Sequence, residues 1–249
     1  MIVVTGMHRS GTSLAALVLQ ALGLDFGPPE HLYAADDWNV NGYLERTDVV
    51  DLNSRLLTGF ERTTGRRNQL LSQANYLRMP GAASIVSRAD ELSHELSRVG
   101  VDLNGLAVKD PRFCVTLDAW HRHQAIAGLV VALRHPSAAV ASLRRRNKLP
   151  PIVGHRFWRW HMEAVLPHID RNTLVIRQDF LTGPDRASEL GRIRRWMREI
   201  AGLEPSLDVI DVIDSSLVHH TPSDDGVPIE SLRMWDSLTS AQAWSPRPR

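Results

Sequence analysis

Short apolar runs alternate with stretches of helically spaced apolar positions along this 249-residue chain. Residues 2–4, 106–108, 128–133 and 173–176 are nearly continuous apolar runs, which predict short strands buried on both faces. The clearest is 128–133, Gly-Leu-Val-Val-Ala-Leu. Over 12–22 the apolar residues Leu14, Leu17, Val18 and Leu22 recur at helical intervals, and Gly23 supplies a stop. The same reasoning predicts helices over 49–57, 82–99, 136–146, 152–168 and 186–200. Pro136 suits a first helical turn, and Leu190, Ile193, Trp196 and Met197 share one face of the last helix. Residues 27–43, rich in Pro, Asp, Asn and Gly, predict a long loop, and the polar, weakly periodic 62–78 predict a flexible one. Beyond 222 the chain is polar and proline-marked, with loose final residues 244–249. Strands separated by helices predict an α/β fold with a mostly parallel central sheet flanked by helices. One domain, 1–249, is expected, with a helical and loop insertion over about 27–100 and a C-terminal tail from about 222 to 249.

Composition narrows the classes. Hydrophobic residues make up 43%, enough for a sizeable core, and the formal net charge is +1. So weak an overall field argues against a nucleic-acid partner, though local patches remain open. Lys109 and Lys148 are the only lysines among 29 basic residues. A GC-rich genome explains the arginine bias, yet each lysine gains interest from it. Cys114 is the single cysteine, so no internal disulfide forms, and burial fits it better than catalysis. No apolar run approaches the roughly 18 residues of a membrane span, and no leader-like segment precedes the first strand. The expectation is a cytoplasmic protein with no stable membrane insertion.

The first strand runs into a loop in which Gly6 and Gly11 bracket four residues and Thr12 and Ser13 follow. A nucleotide-hydrolysing phosphate loop has the form G-x-x-x-x-G-K-[ST]. Here Thr12 fills the lysine slot, and the nearest cation, Arg9, sits inside the loop. Backbone N–H groups and a helix N-terminus still suit an anion. The lysine that reaches the far phosphates of ATP is absent, so the loop suggests a phosphate-bearing donor other than an ordinary triphosphate.

A second anion site is expected where the best strand ends. Arg134 follows 128–133, and Ser142 lies eight residues on, within the next helix. Ligands of open parallel sheets bind at the carboxyl ends of strands, and an arginine there can form two hydrogen bonds to one phosphate.

Together these features resemble sulfotransferases that use 3′-phosphoadenosine 5′-phosphosulfate (PAPS). Arg9, Ser10, Gly11, Thr12 and Ser13 match that family's 5′-phosphosulfate loop, with His8 beside them, and Arg134 and Ser142 match its 3′-phosphate pair. The stretches 41–45 (Asn-Gly-Tyr-Leu-Glu) and 109–112 (Lys-Asp-Pro-Arg) resemble motifs of a bacterial branch opening G-M-H-R-S-G-T-S. The resemblance implies a three-layer P-loop-type fold, no metal, and sulfonate transfer to a hydroxyl or amine of a small-molecule or glycan acceptor. It departs from the cytosolic small-molecule enzymes in lacking a late R-K-G segment. His219 and His220 are the nearest candidates for that donor contact, the ordinary alternative being exposed loop histidines.

Within the resemblance Arg9 bridges sulfonate and leaving phosphate, and Lys109 and Arg112 meet the sulfonate, meet an acidic acceptor or simply pair with Asp110. Glu45 leads as the general base, with His8 second and His31 and Asp36 behind. A plain acid at a helix start is the alternative for Glu45. Trp38, Tyr43, Trp158 and Trp160 fit either an acceptor pocket or core, core being commoner. Residues 144–146 are three arginines that fit a solvated helix end, one of them free to assist the 3′-phosphate. Two other functions stay open: a P-loop kinase, with Asp110 as its magnesium carboxylate, and a nucleotide-binding module without catalysis. Residue types say nothing of the acceptor beyond this.

Overall fold

The computed structural model describes residues 1–34, 42–61, 65–206, 212–213 and 222–241, and of residues 65, 66, 68 and 69 only the backbone. Four strands, β1 (Ile2–Thr5), β2 (Ala107–Lys109), β3 (Gly128–Leu133) and β4 (Thr173–Arg177), form one parallel sheet in the order β2-β1-β3-β4. Each lies within a residue of its apolar run, and all six positions of β3 are buried. That is why the run shows no polar alternation: both faces of the sheet are covered.

The described helices are α1 (Thr12–Ala21), α2 (Thr47–Thr58), α3 (Gly65–Tyr76), α4 (Ala82–Glu91), α5 (Ser93–Asp102), α6 (Phe113–His121), α7 (Pro136–Asn147), α8 (Pro151–Val165), α9 (Gln178–Thr182), α10 (Arg186–Glu199) and α11 (Ile229–Thr239). Successive strand residues face opposite ways, and the core divides accordingly. Val3, Val108, Leu129, Val131 and Leu133 join α2, α4, α5, α6, α7, α8 and α11. Val4, Ala107, Val130 and Ala132 join α1, α9 and α10 on the other face. The result is three layers, helix–sheet–helix. Among the described residues no helix is long and apolar enough to cross a membrane.

Four expectations change. Residues 62–78 are not a plain loop: α3 occupies most of them, with Asn75 donating to the Thr58 carbonyl at 3.2 Å and Tyr76 packed on the core. Tertiary contacts, not an apolar stripe, hold this helix. The single helix expected over 82–99 is two, broken at Leu92, whose ψ of 12° leaves the helical range. No helix is expected over 113–121, yet α6 forms there, with Phe113, Leu117 and Trp120 at helical spacing and fully buried.

The tail also differs, for α11 lies within it. Pro228 flanks its start, and Ser231 and Leu238 are buried. The approach to α11 is clasped to the start of α7. Asp224 meets His135 Nε2 at 3.1 Å, and the Ser223 amide donates to Ser137 Oγ at 3.2 Å. Trp235 then sets its ring edge-on to His135, 5.1 Å away, with the Arg177 guanidinium 5.2 Å from its centre.

Candidate active site

The connection leaving β1 leads to β2 on one side, and that leaving β3 leads to β4 on the other. The crevice beyond the carboxyl ends of β1 and β3 is therefore the switch point of the sheet, where open α/β folds bind ligands. Residues 6–11 line it. Gly6 (φ 144°) presses against β3 so closely that a Cβ would stand 2.2 Å from the Ala132 carbonyl oxygen. Gly11 (φ 85°) caps α1 in a left-handed conformation, and no acidic residue occupies the first turn. Arg9 itself has φ 68°, an uncommon conformation for a residue with a side chain. The Ser10 hydroxyl is buried and has no partner among the described residues.

Arg134 leaves β3 into the same crevice. Its Nη1 donates to the Arg9 carbonyl at 3.2 Å, and Arg9 Nε donates to Ser142 Oγ at 3.0 Å. Arg9, Arg134 and Ser142, read from two separate motifs, thus meet. Arg134 is 9% exposed, and its Nε has no partner among the described residues. Among those residues no carboxylate pairs with Arg9 or Arg134. Burial, then the charge of Arg9, pushes the Arg134 guanidinium down to about 10. Burial and then Arg146 lower Arg9, with Tyr43 opposing. Two desolvated cations without a counter-charge make a site tuned for an anion.

The end of β2 contributes Lys109, fully buried. Its ammonium donates to Glu45 Oε1 at 2.6 Å, to the Tyr43 carbonyl at 2.9 Å and to Ser13 Oγ at 3.1 Å. A cation missing from the loop sequence therefore reaches the first turn of α1 from the neighbouring strand. Asp110 turns away into the core. Arg112 donates to its Oδ1 from both backbone and Nη1, at 2.9 and 2.8 Å, and Asn53 donates to its Oδ2 at 3.0 Å. Thr116 and Trp120 in turn donate to Asn53 Oδ1, each at 2.8 Å.

No protein-family model and no curated protein matches the chain. Solved chains do match it. The sulfotransferase domain of the olefin synthase from Synechococcus PCC 7002 aligns with 100% of this chain and 95% of its own, at 16% identity and a TM-score of 0.49. So remote a likeness leaves the chemistry to be argued from this chain's own residues.

His8 lies on the other side of the loop, in a cluster of rings. Its Nε2 is 3.2 Å from the Tyr76 hydroxyl, which is 2.6 Å from His161 Nε2, and His161 Nδ1 is 2.8 Å from the Phe157 carbonyl. Neither Tyr76 nor His161 stood out in the sequence. They sit 85 residues apart on α3 and α8, and no local pattern announces the pairing.

The remaining candidates scatter. Trp158 is wholly core, whereas Trp160 joins the ring cluster beside Tyr76 and His161. The Tyr43 hydroxyl accepts from Arg146 Nη2 at 3.3 Å, so one of the three consecutive arginines does face the site. His31 lies on an exposed turn, where its carbonyl accepts from Thr47 Oγ1 at 3.3 Å. Cys114 is buried against Thr5, and burial pushes its thiol up to about 12, as suits a core residue. Asp36, Trp38, His219 and His220 lie outside the described residues.

Proposed function

We propose that this protein is a sulfotransferase that transfers the sulfonate of PAPS to a hydroxyl or amine of a small-molecule or glycan acceptor, releasing adenosine 3′,5′-bisphosphate. The observation that carries the reading is the pair of desolvated arginines, Arg134 bonded to the Arg9 carbonyl and Arg9 to Ser142, with no carboxylate beside them among the described residues. A donor with phosphate at both its 5′ and 3′ ends needs two anion sites in one crevice. Residues 6–13 would take the 5′-phosphosulfate, and Arg134 with Ser142 the 3′-phosphate. In that arrangement Arg9, now on Ser142, turns to the charge that develops as the bridging S–O bond breaks. Lys109, beside Ser13, offers a second positive charge to the sulfonate. Catalysis then rests on positioning and preorganised charge.

The two candidates for base exchange rank in this reading. Glu45 accepts a 2.6 Å bond from the Lys109 ammonium at Oε1, so its fitting role is to hold Lys109 in place. His8 belongs to a hydrogen-bond chain with Tyr76 and His161. A kinase is disfavoured by Asp110, whose two oxygens are taken up by Arg112 and Asn53 in the core and are turned from any metal.

Ligand-induced thermal stabilisation tests the donor. Adenosine 3′,5′-bisphosphate at a hundredfold excess over Kd should stabilise by roughly 2.7 kcal/mol, with AMP and magnesium–ATP far behind. Equal shifts from ATP would discard the donor assignment. Sulfonation of any acceptor then separates the enzyme from a module that merely binds.

A further inference from the structure

Arginines closing a helix are ordinarily a solvated end favoured by its dipole, and the exposed Arg144 fits that description. Arg145 and Arg146 are placed differently. Side chains three and four residues apart share one face of a helix. These two therefore continue, along α7, the face on which Ser142 Oγ accepts from Arg9 Nε at 3.0 Å. One turn advances a helix by about 5.4 Å. Starting from the end of β3, the order is Arg134, then Arg9 with the Ser142 that it bonds, then Arg146 a turn beyond. The electrostatics run in the same order. The charge that bears on Arg134 is that of Arg9, whereas Arg146 and Arg145 are the charges that, after burial, hold Arg9 down.

A second contact fixes the side of the crevice on which Arg146 lies. Its Nη2 donates to the Tyr43 hydroxyl at 3.3 Å. The Tyr43 carbonyl accepts from Lys109 Nζ at 2.9 Å, and the ring centre is 5.7 Å from that ammonium. One tyrosine thus spans from Arg146 to the end of β2. In the reading above, Lys109 and Arg9 attend the sulfonate and Arg134 the remote 3′-phosphate. Arg146 therefore stands at the sulfonate end, where the attacking atom must come in. It is half-buried, and Arg145, next to it in the chain, is exposed. A guanidinium can form two parallel hydrogen bonds to a carboxylate or a phosphate, and positive charge gathered at a cleft draws anions in.

We propose that Arg146, assisted by Arg145, binds an anionic group on the acceptor, so that the molecule sulfonated is itself a carboxylate or a phosphate ester rather than a neutral alcohol or amine. This rests on the sulfotransferase reading. The anionic group takes no part in the transfer. It anchors the acceptor beside the sulfonate and offsets the mutual repulsion of Arg9, Arg145 and Arg146.

The probes that test this are twins differing in one anionic group: 6-hydroxy-2-naphthoate with 2-naphthol, glucuronate with glucose, and glucose 6-phosphate with glucose. Each is titrated calorimetrically into the protein saturated with adenosine 3′,5′-bisphosphate, and each is offered PAPS for transfer. At least one acidic twin should bind about ten- to hundredfold more tightly than its neutral partner, the range for a hydrogen bond to a charged group. Which pair shows the preference tells carboxylate from phosphate. Arg146→Met should abolish it while changing the affinity for adenosine 3′,5′-bisphosphate by less than about threefold, as befits a screened charge outside the donor site. Arg145→Met should weaken the preference, and Arg144→Met should leave it intact. The proposal is overturned if no acidic twin is preferred or if the preference survives Arg146→Met. It is overturned equally if Arg146→Met weakens the bisphosphate instead, which would assign Arg146 to the donor. Sulfonate transfer to neutral twins without preference would sink the acidic acceptor and leave the sulfotransferase standing. A preference carried by Arg146 in a protein that transfers no sulfonate would uphold the anion site and count against the sulfotransferase reading alone.

Discussion

At the end of β2 the chain buries Lys109 and Arg112 and gives each a carboxylate, Glu45 at 2.6 Å and Asp110 at 2.8 Å. At the end of β3, with only β1 between, it removes Arg9 and Arg134 from water and gives them, among the described residues, a hydroxyl and a carbonyl instead. The first pair is the more deeply buried, Arg9 being partly exposed, and the two regions have opposite electrostatics. In the first, charge is neutralised within the protein, and the cluster holds loops and strands in register. In the second, positive charge is left uncompensated, which costs stability in the free protein and is relieved by an anion. The contrast separates cations matched by the protein's own carboxylates from cations left for a ligand to match.

The largest effect should come from breaking the matched side. Asp110→Ala leaves Arg112 buried without its carboxylate and should destabilise by about 3–5 kcal/mol in denaturant unfolding. A loss under about 1 kcal/mol would mean that the pair is not the anchor described. The unmatched side should respond with the other sign. Arg134→Met removes a desolvated, unpaired charge, so the ligand-free protein should be as stable as the wild type or more so. Its affinity for adenosine 3′,5′-bisphosphate should fall by about 2–5 kcal/mol. If Arg134→Met unfolds like Asp110→Ala and binds like the wild type, the comparison collapses.

A third manner of burial, neutral rather than charged, sharpens the contrast. His161 is held at about 4 in the fold, against 6.5 for a free imidazole. The unfolded chain thus takes up a proton that the folded one refuses. His161 contributes fully above pH 6.5, and that contribution is lost as the pH falls toward 4. The loss amounts to roughly 3 kcal/mol in all. His161→Gln should flatten this acid-side slope by about that amount, measured as unfolding free energy against pH. An unchanged slope would show that His161 does not titrate in this way. The smallest effect belongs to Arg122 and Asp90, which lie 3.7 Å apart on the surface. Arg122→Ala should shift stability by no more than about 0.5 kcal/mol, which calibrates what burial adds elsewhere.

The sequence carried the parts of this picture that are local. Short strands of three to six residues covered on both faces are nearly continuous apolar runs, so all four were legible. The glycines at 6 and 11 and the residues Arg9, Arg134 and Ser142 were legible because their motifs each span at most nine positions. Partnerships across the chain were not. Glu45 and Lys109 were each noticed, but 64 residues separate them, and nothing in either segment says that they bind each other. Tyr76 lies on α3, whose few apolar positions hid the helix, and His161 lies on a helix where a histidine reads as an ordinary core residue. Helix α11 was hidden by the prolines before it, although Pro228 stands just ahead of its first turn.

The clasp between α7 and the approach to α11 has an optical consequence. Trp235 lies against His135, the residue after Arg134, and faces the Arg177 guanidinium. Indole emission responds to nearby charge and to the protonation of an adjacent imidazole. An anion drawing on Arg134 alters the field one residue from the quencher, so the chain carries its own fluorophore for the crevice. Titrating adenosine 3′,5′-bisphosphate while following emission, with Trp235→Phe as the blank for the other six tryptophans, would read occupancy without a label or an acceptor.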